Sequence, residues 1–236
     1  MKVMHAPSRA GFGPSSWLPD PPYRRALREH RLLFDGLVAI QEEVEAAAAM
    51  LVQSLVAGKK LMLCGNGGSA ADSQHIAAEL TGRFVHDRRP LAAMALTTDS
   101  SALTCIANDY DFEQVFARQV GALGQAGDCL VAISTSGNSP NVLRAVETAR
   151  RMRIATVALT GRSGGRLGET CDAAIVVPSS ITARIQEAHI FVGHVLCALV
   201  EDGLTRAGML HAAQPALGKA QIAPMLPVTG KTMPVT

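Results

Sequence analysis

The chain has 236 residues, 48% hydrophobic and 18% charged, enough for one α/β domain with a well-buried core. Lys and Arg outnumber Asp and Glu only 22 to 20 and are scattered apart from short clusters at 86–89 and 150–153, and aromatic residues make up 4%. That balance excludes a basic nucleic-acid groove and stacking platforms for single strands. The five cysteines, Cys64, Cys105, Cys129, Cys171 and Cys197, are odd in number and widely spaced. They read as reduced core thiols of a cytoplasmic protein.

Residues 1–22 carry Pro, Ser and Gly where a signal peptide needs an uninterrupted apolar stretch, so they read as a flexible arm. No run of eighteen apolar residues occurs, and no transmembrane helix is expected. From 23 to 57 the period is helical, with Leu33, Phe34, Leu37, Ile40 and Val44 forming an apolar stripe that Gly58 ends. Apolar runs of strand length follow at 61–64, 91–96, 129–133, 155–159 and 173–177. Helical stretches lie between them at 69–81, 100–107, 112–123 and 140–152, with a last long one at 182–204. Continuous apolar strands alternating with helices imply an α/β fold, a parallel sheet covered on both faces. The tail at 207–236, rich in Pro, has no regular period and stays unassigned.

Three segments carry chemistry. Gly65, Asn66, Gly67, Gly68, Ser69 and Ala70 match a dinucleotide fingerprint, but the first acidic candidate, Asp99, lies 34 residues after Gly65, farther than that motif needs. A turn that lets substrate hydroxyls approach the backbone, with Asn66 offering its amide and Ser69 capping the next helix, is the alternative. A tight turn without a ligand is the plain one. After the third strand come Ser134, Thr135, Ser136, Gly137, Asn138, Ser139 and Pro140. Short hydroxyls at a helix N-terminus suit a phosphate, with Ser139 as N-cap and Pro140 in the first turn; a capped helix alone explains only one or two of them.

His75 and Glu79 are four residues apart, about 400° around a helix, so they share a stripe. On the last helix His194 is eight residues from Gln186 and seven from Glu187, roughly 80° and 20° around. Two nitrogens and two oxygens suit Zn²⁺, but spacing does not choose between Gln186 and Glu187.

The segments CGNGGSAADSQHIAAELTGRF, IANDYDFEQVFARQV, AISTSGNSPNV, ALTGRSGG and ARIQEAHIFVGHVLC occur in that order. In these motifs the chain resembles the phosphoheptose (sedoheptulose-7-phosphate) isomerase branch of the SIS, or sugar isomerase, domain family, from about Leu32 to Leu204. The resemblance implies a five-stranded parallel αβα sandwich with a long N-terminal helix, spanning 23–206. It implies one zinc per subunit on His75, Glu79, Gln186 and His194, with Glu79 as catalytic base and His194 as acid. Substrate contacts would fall on Asn66, Gly67, Gly68, Ser69, Glu79, Arg83, Asn108, Asp109, Ser134, Thr135, Ser136, Ser139 and Gln186. His189 has no role by resemblance. The implied partner is a phosphorylated seven-carbon sugar, the assembly a homotetramer with sites between subunits, and the product D-glycero-D-manno-heptose 7-phosphate for surface polysaccharide or the heptose of a lipopolysaccharide core. Where some members carry an aspartate this chain has Ala183. Rival expectations are a sister branch that binds the replication initiator, which generally lacks the Glu and second His, and a sugar-phosphate sensor, which needs the serine loop but not Glu79 with His194.

Overall fold

The computed structural model describes residues 21–210, so the expected arm through residue 20 and the tail beyond 210 lie outside the described residues. Five strands, β1 (Leu61–Gly65), β2 (Ala93–Ala95), β3 (Cys129–Ser134), β4 (Ala155–Gly161) and β5 (Ala173–Val177), form one all-parallel sheet in the order β2-β1-β3-β4-β5. Side chains alternate across the pleat, which divides the core in two. Leu61, Leu63, Val131, Ile133 and Leu159 face one layer of helices, while Met62, Cys64, Leu130, Ala132 and Ala158 face the other.

The first layer holds α1 (Pro22–Gly36), α2 (Gln41–Val56), α3 (Gly68–Thr81) and α8 (Thr182–Arg206). The second holds α5 (Val115–Leu123), α6 (Pro140–Arg151) and the short α7 (Gly165–Thr170), and α4 (Ser100–Asp109) packs against α5 at its edge. Helix α8 is long and apolar enough by composition to cross a membrane. Ten of its residues are nonetheless buried, Glu201 among them, and it packs on α2 and α3 as a core helix.

Several expectations change in detail. The N-terminal helical stretch is interrupted by a 3-10 turn at Leu37–Ile40, which places the buried Leu37 and Ile40, three residues apart, on one side. Helix α5 is preceded by a 3-10 turn at Phe112–Gln114 capped by Asp111, and α7 is too short and glycine-rich to leave a period in the sequence. The second strand shrinks to an edge strand of three residues. Ser69 is not the cap of α3. Gly67 takes that position with φ 56°, a left-handed value glycine adopts without strain, and Ser69 is buried in the first turn. Only Cys64, Cys129 and Cys197 are buried. Cys105 is exposed because α4 buries no residue at all.

The chain runs from β1 outward to β2 and then crosses back to β3 on the other side. Strands β1 and β3 are therefore the switch point of the sheet, where the loops at their C-terminal ends part and leave a crevice. The glycine turn follows β1 and the serine loop follows β3. Both candidate ligand loops thus stand at the place where open parallel sheets bind ligands.

Candidate active site

Helices α3 and α8 bring together a cluster that sequence separates by 119 residues. His75 and His194 meet Nε2 to Nε2 at 2.9 Å, one ring donating and the other accepting, and the Glu79 carboxylate lies 3.4 Å from His75. Ligand-type atoms of His75, Glu79 and His194 all fall within 4.8 Å of one another. The close approach depends on Gly193, beside His194, since a Cβ there would sit 2.6 Å from Ile76, beside His75. The Phe84 ring stacks on the His194 ring with centroids 5.6 Å apart and walls off one side of it. Two imidazoles and a carboxylate converging on one point are a donor set that fits a divalent metal ion.

Gln186 and Glu187 part company. Glu187 accepts from Arg184 on its own helix and from His30 at 2.9 Å, and the second hydrogen bond ties α8 to α1. Gln186 instead lies against Gly68 at the start of α3: a Cβ on that glycine would fall 2.3 Å from the Gln186 amide nitrogen. His189 points the other way, fully buried, with Nε2 bonded at 3.0 Å to the Thr160 carbonyl. Five residues before His194 is about 140° around the helix, which accounts for its distance from the cluster. Burial holds the His189 pKa below the usual range, and its other ring nitrogen has no partner.

The serine loop converges its hydroxyls. Ser134 Oγ lies 2.9 Å from Ser139 Oγ and 3.4 Å from Ser136 Oγ, and the Asn138 backbone N–H donates to Ser136 Oγ. Ser139 occupies the N-cap position of α6 as expected, but its hydroxyl serves this cluster and not a helix amide. Thr135 is half-buried beside it. The loop is braced from behind by the start of α7, just past the ALTGRSGG segment: Leu167 N–H donates to the Gly137 carbonyl and Arg166 N–H to Asn138 Oδ1. The three hydroxyls sit at the amide-rich start of a twelve-residue helix, an arrangement suited to a phosphate.

Other expected contacts are less gathered. Asn66 is half-buried, its side chain engaged with Asn141, while Gly67 and Gly68 are exposed. Arg83 is exposed just past the end of α3. Asn108 and Asp109 close α4 and bond to each other at 2.8 Å, and that hydrogen bond, with one from Cys105, holds Asp109 below the usual carboxylate range. Among the described residues no hydrogen bond joins them to the cluster or the serine loop. Asp99, the acidic residue weighed for a dinucleotide site, caps α4 through Ala102 N–H.

Sequence reasoning missed four features around the site. Asp72, one turn before His75, has a buried oxygen without a partner, and desolvation raises its pKa to about 6 against a lowering by His75. Phe84 was hidden in a loop. Arg88 and Glu201 form a buried ion pair, and a glutamate inside the apolar run of α8 was the one available signal for it. Asn141 gave no signal.

An open parallel sheet with a phosphate-type loop at its switch point and a histidine–carboxylate cluster on the covering helices defines a protein of the sugar-isomerase class. Residues 28–161 match the SIS domain. A phosphoheptose isomerase of a Nitratiruptor species is 55% identical over 179 residues, spanning 75% of this chain and 96% of that protein. Solved phosphoheptose isomerases of Neisseria gonorrhoeae and Francisella tularensis are similar with TM-scores of 0.73 and 0.74 and identities of 46% and 38%. Each covers 76% of this chain, which in turn covers 97% and 96% of theirs. The chain belongs to the phosphoheptose isomerase family of SIS-domain enzymes.

Proposed function

We propose that this isomerase interconverts sedoheptulose 7-phosphate and the aldoheptose 7-phosphate through an enediol. The observation that carries the reading is the convergence of His75, Glu79 and His194 within 4.8 Å, on helices flanking the crevice that the serine loop borders. The phosphate binds Ser134, Thr135, Ser136 and Ser139, and the reacting end lies toward α3 and α8, with Gly67, Gly68 and the backbone around Ser69 as further contacts. Glu79 removes the C1 proton and returns it at C2, while His194 moves the second proton between the two oxygens. His75, Glu79, Gln186 and His194 would hold Zn²⁺, whose chemistry there is to polarise the substrate carbonyl. Glu79 has an oxygen for each task. Arg83, Asn108 and Asp109 reach substrate once subunits assemble.

The assembly in this reading is a cytoplasmic homotetramer. It is supported by an apolar groove lined by Phe34, Leu37, Val38, Val44, Phe191 and Val195, where Val38 is 74% and Phe191 44% exposed. An exposed apolar patch of this kind is suited to a second copy.

A proton NMR time course with sedoheptulose 7-phosphate, run with added Zn²⁺ and with chelator, tests the activity. Aldoheptose 7-phosphate should appear with metal and slow without it. Glu79→Gln should lower turnover by about a hundredfold or more, the usual weight of an acid/base group. Normal turnover in a folded Glu79→Gln protein would refute the assignment.

A further inference from the structure

One pair of side chains joins the two loops at the switch point. Asn66 follows β1 and Asn141 lies in the first turn of α6, 75 residues apart, yet their amides close a ring. Asn66 Nδ2 donates to Asn141 Oδ1 at 2.9 Å, and Asn141 Nδ2 donates to Asn66 Oδ1 at 2.8 Å. A third bond fixes which way the amides face: the Val142 backbone N–H donates to Asn141 Oδ1 at 3.0 Å, so that atom must be the oxygen. Asn141 is only 2% exposed. A single hydrogen bond resists separation alone, whereas two parallel bonds between planar amides also resist rotation.

The ends of this brace are the two halves of the site. Asn141 lies two residues after Ser139 of the hydroxyl cluster. Asn66 lies two residues before Gly68, against which Gln186 rests, at the start of the helix that carries His75 and Glu79. The Asn66 carbonyl also accepts from Ser69 N–H at 3.0 Å, so a shift of Asn66 passes directly into the first turn of α3.

We propose that Asn141 is a positioning residue: through Asn66 it fixes the span between the serine loop and the start of α3. A sugar phosphate held at its phosphate then presents its reacting carbons to Glu79 in register. This inference rests on the isomerase reading above. It also revises the expectation for Asn66, whose side-chain amide serves the brace and leaves its backbone to meet the sugar. Misplacing reacting atoms by about 1 Å costs up to about 10² in rate. The phosphate grip is local to the hydroxyls and the helix N-terminus, so it should survive loss of the brace.

The test is a cycle of Asn141→Ala, Asn66→Ala and the double variant, reading kcat with sedoheptulose 7-phosphate and the inhibition constant of inorganic phosphate. Each single variant should lose about tenfold to a hundredfold in kcat with the phosphate constant unchanged. The double variant should fall no further, because both substitutions remove one contact. Full kcat in a folded Asn141→Ala protein, or losses that multiply in the double variant, would overturn the proposal. Should Asn141→Ala fail to fold, Asn141→Ser keeps a hydroxyl near Val142 N–H but is too short to reach Asn66, and is read the same way. Wild-type protein that binds sedoheptulose 7-phosphate by calorimetry without turning it over defeats the isomerase reading alone. The same variants are then read by affinity: weaker sugar-phosphate binding at unchanged phosphate binding supports the brace, and equal affinity overturns it. Wild-type protein that binds neither ligand overturns both.

Discussion

Arg88 offers the sharpest test of how the cluster is held. Its side chain is 3% exposed and that of Glu201 6%, and the two form an ion pair between the segment after α3 and the C-terminal part of α8. The same guanidinium donates to the carbonyls of Glu79 at 2.9 Å, Leu80 at 3.0 Å and Arg89 at 3.2 Å, while Glu201 also accepts the Phe84 N–H at 3.3 Å. One buried charge pair therefore grips the end of α3, the backbone of the residue whose ring covers His194, and α8. Arg88→Met leaves the Glu201 carboxylate buried without a cation, a change that costs about 3–5 kcal/mol. Against a total stability of about 5–15 kcal/mol this is a large fraction. At about 2–4 °C per kcal/mol for a chain of this size, the melting temperature should fall by roughly 6–20 °C. Replacing both partners, as Arg88→Met with Glu201→Met, removes the stranded charge and should restore the part of the loss that comes from it, while the carbonyls of Glu79, Leu80 and Arg89 still lack this donor. Thermal melts of the three proteins with chelator present decide the matter. A single variant that melts within about 2 °C of wild type, or a double variant as unstable as the single, would refute the reasoning.

Other consequences follow from the same contacts. Gly137→Ala places a Cβ 1.9 Å from the Gly164 carbonyl at a residue with φ 67°, so the serine loop must shift; the substrate KM should rise well before kcat changes, and an unchanged KM would contradict the placement of the phosphate. Gly68→Ala drives a Cβ to 2.3 Å from the Gln186 amide nitrogen, so weaker Zn²⁺ binding in a competition titration is expected, and unaltered binding would remove Gln186 from the ligand set. Asp72 is raised from 3.8 to about 6 in the fold, so its carboxyl costs nothing below the lower value and native stability falls as pH rises through the upper one. Asp72→Asn should therefore raise the melting temperature of chelator-treated protein at about pH 8 and leave it near wild type at about pH 3.5; a gain of equal size at both would show that charge is not the cause.

The parts of this protein that depend on local pattern were legible in the sequence. Strands β1, β3, β4 and β5 announce themselves as apolar runs because a parallel sheet buried on both faces needs no polar residue in its strands. The pairing of His75 with Glu79 follows from helical period, and STSGNS is denser in hydroxyls than a helix cap requires. Spacing failed where two neighbouring residues both lay within reach of the His194 face: only the third dimension shows Glu187 engaged by His30 and Arg184 and Gln186 turned to Gly68. It failed equally for Asn141, Arg88 and Phe84, whose partners lie between 75 and 117 residues away. The sequence by itself determined the elements and the kinds of donor group, because periodicity and propensity act over a few residues. Only the tertiary structure decided which donors meet, because the Gly193 crossing and the joining of β1 to β3 are set by packing between segments that carry no local mark of one another.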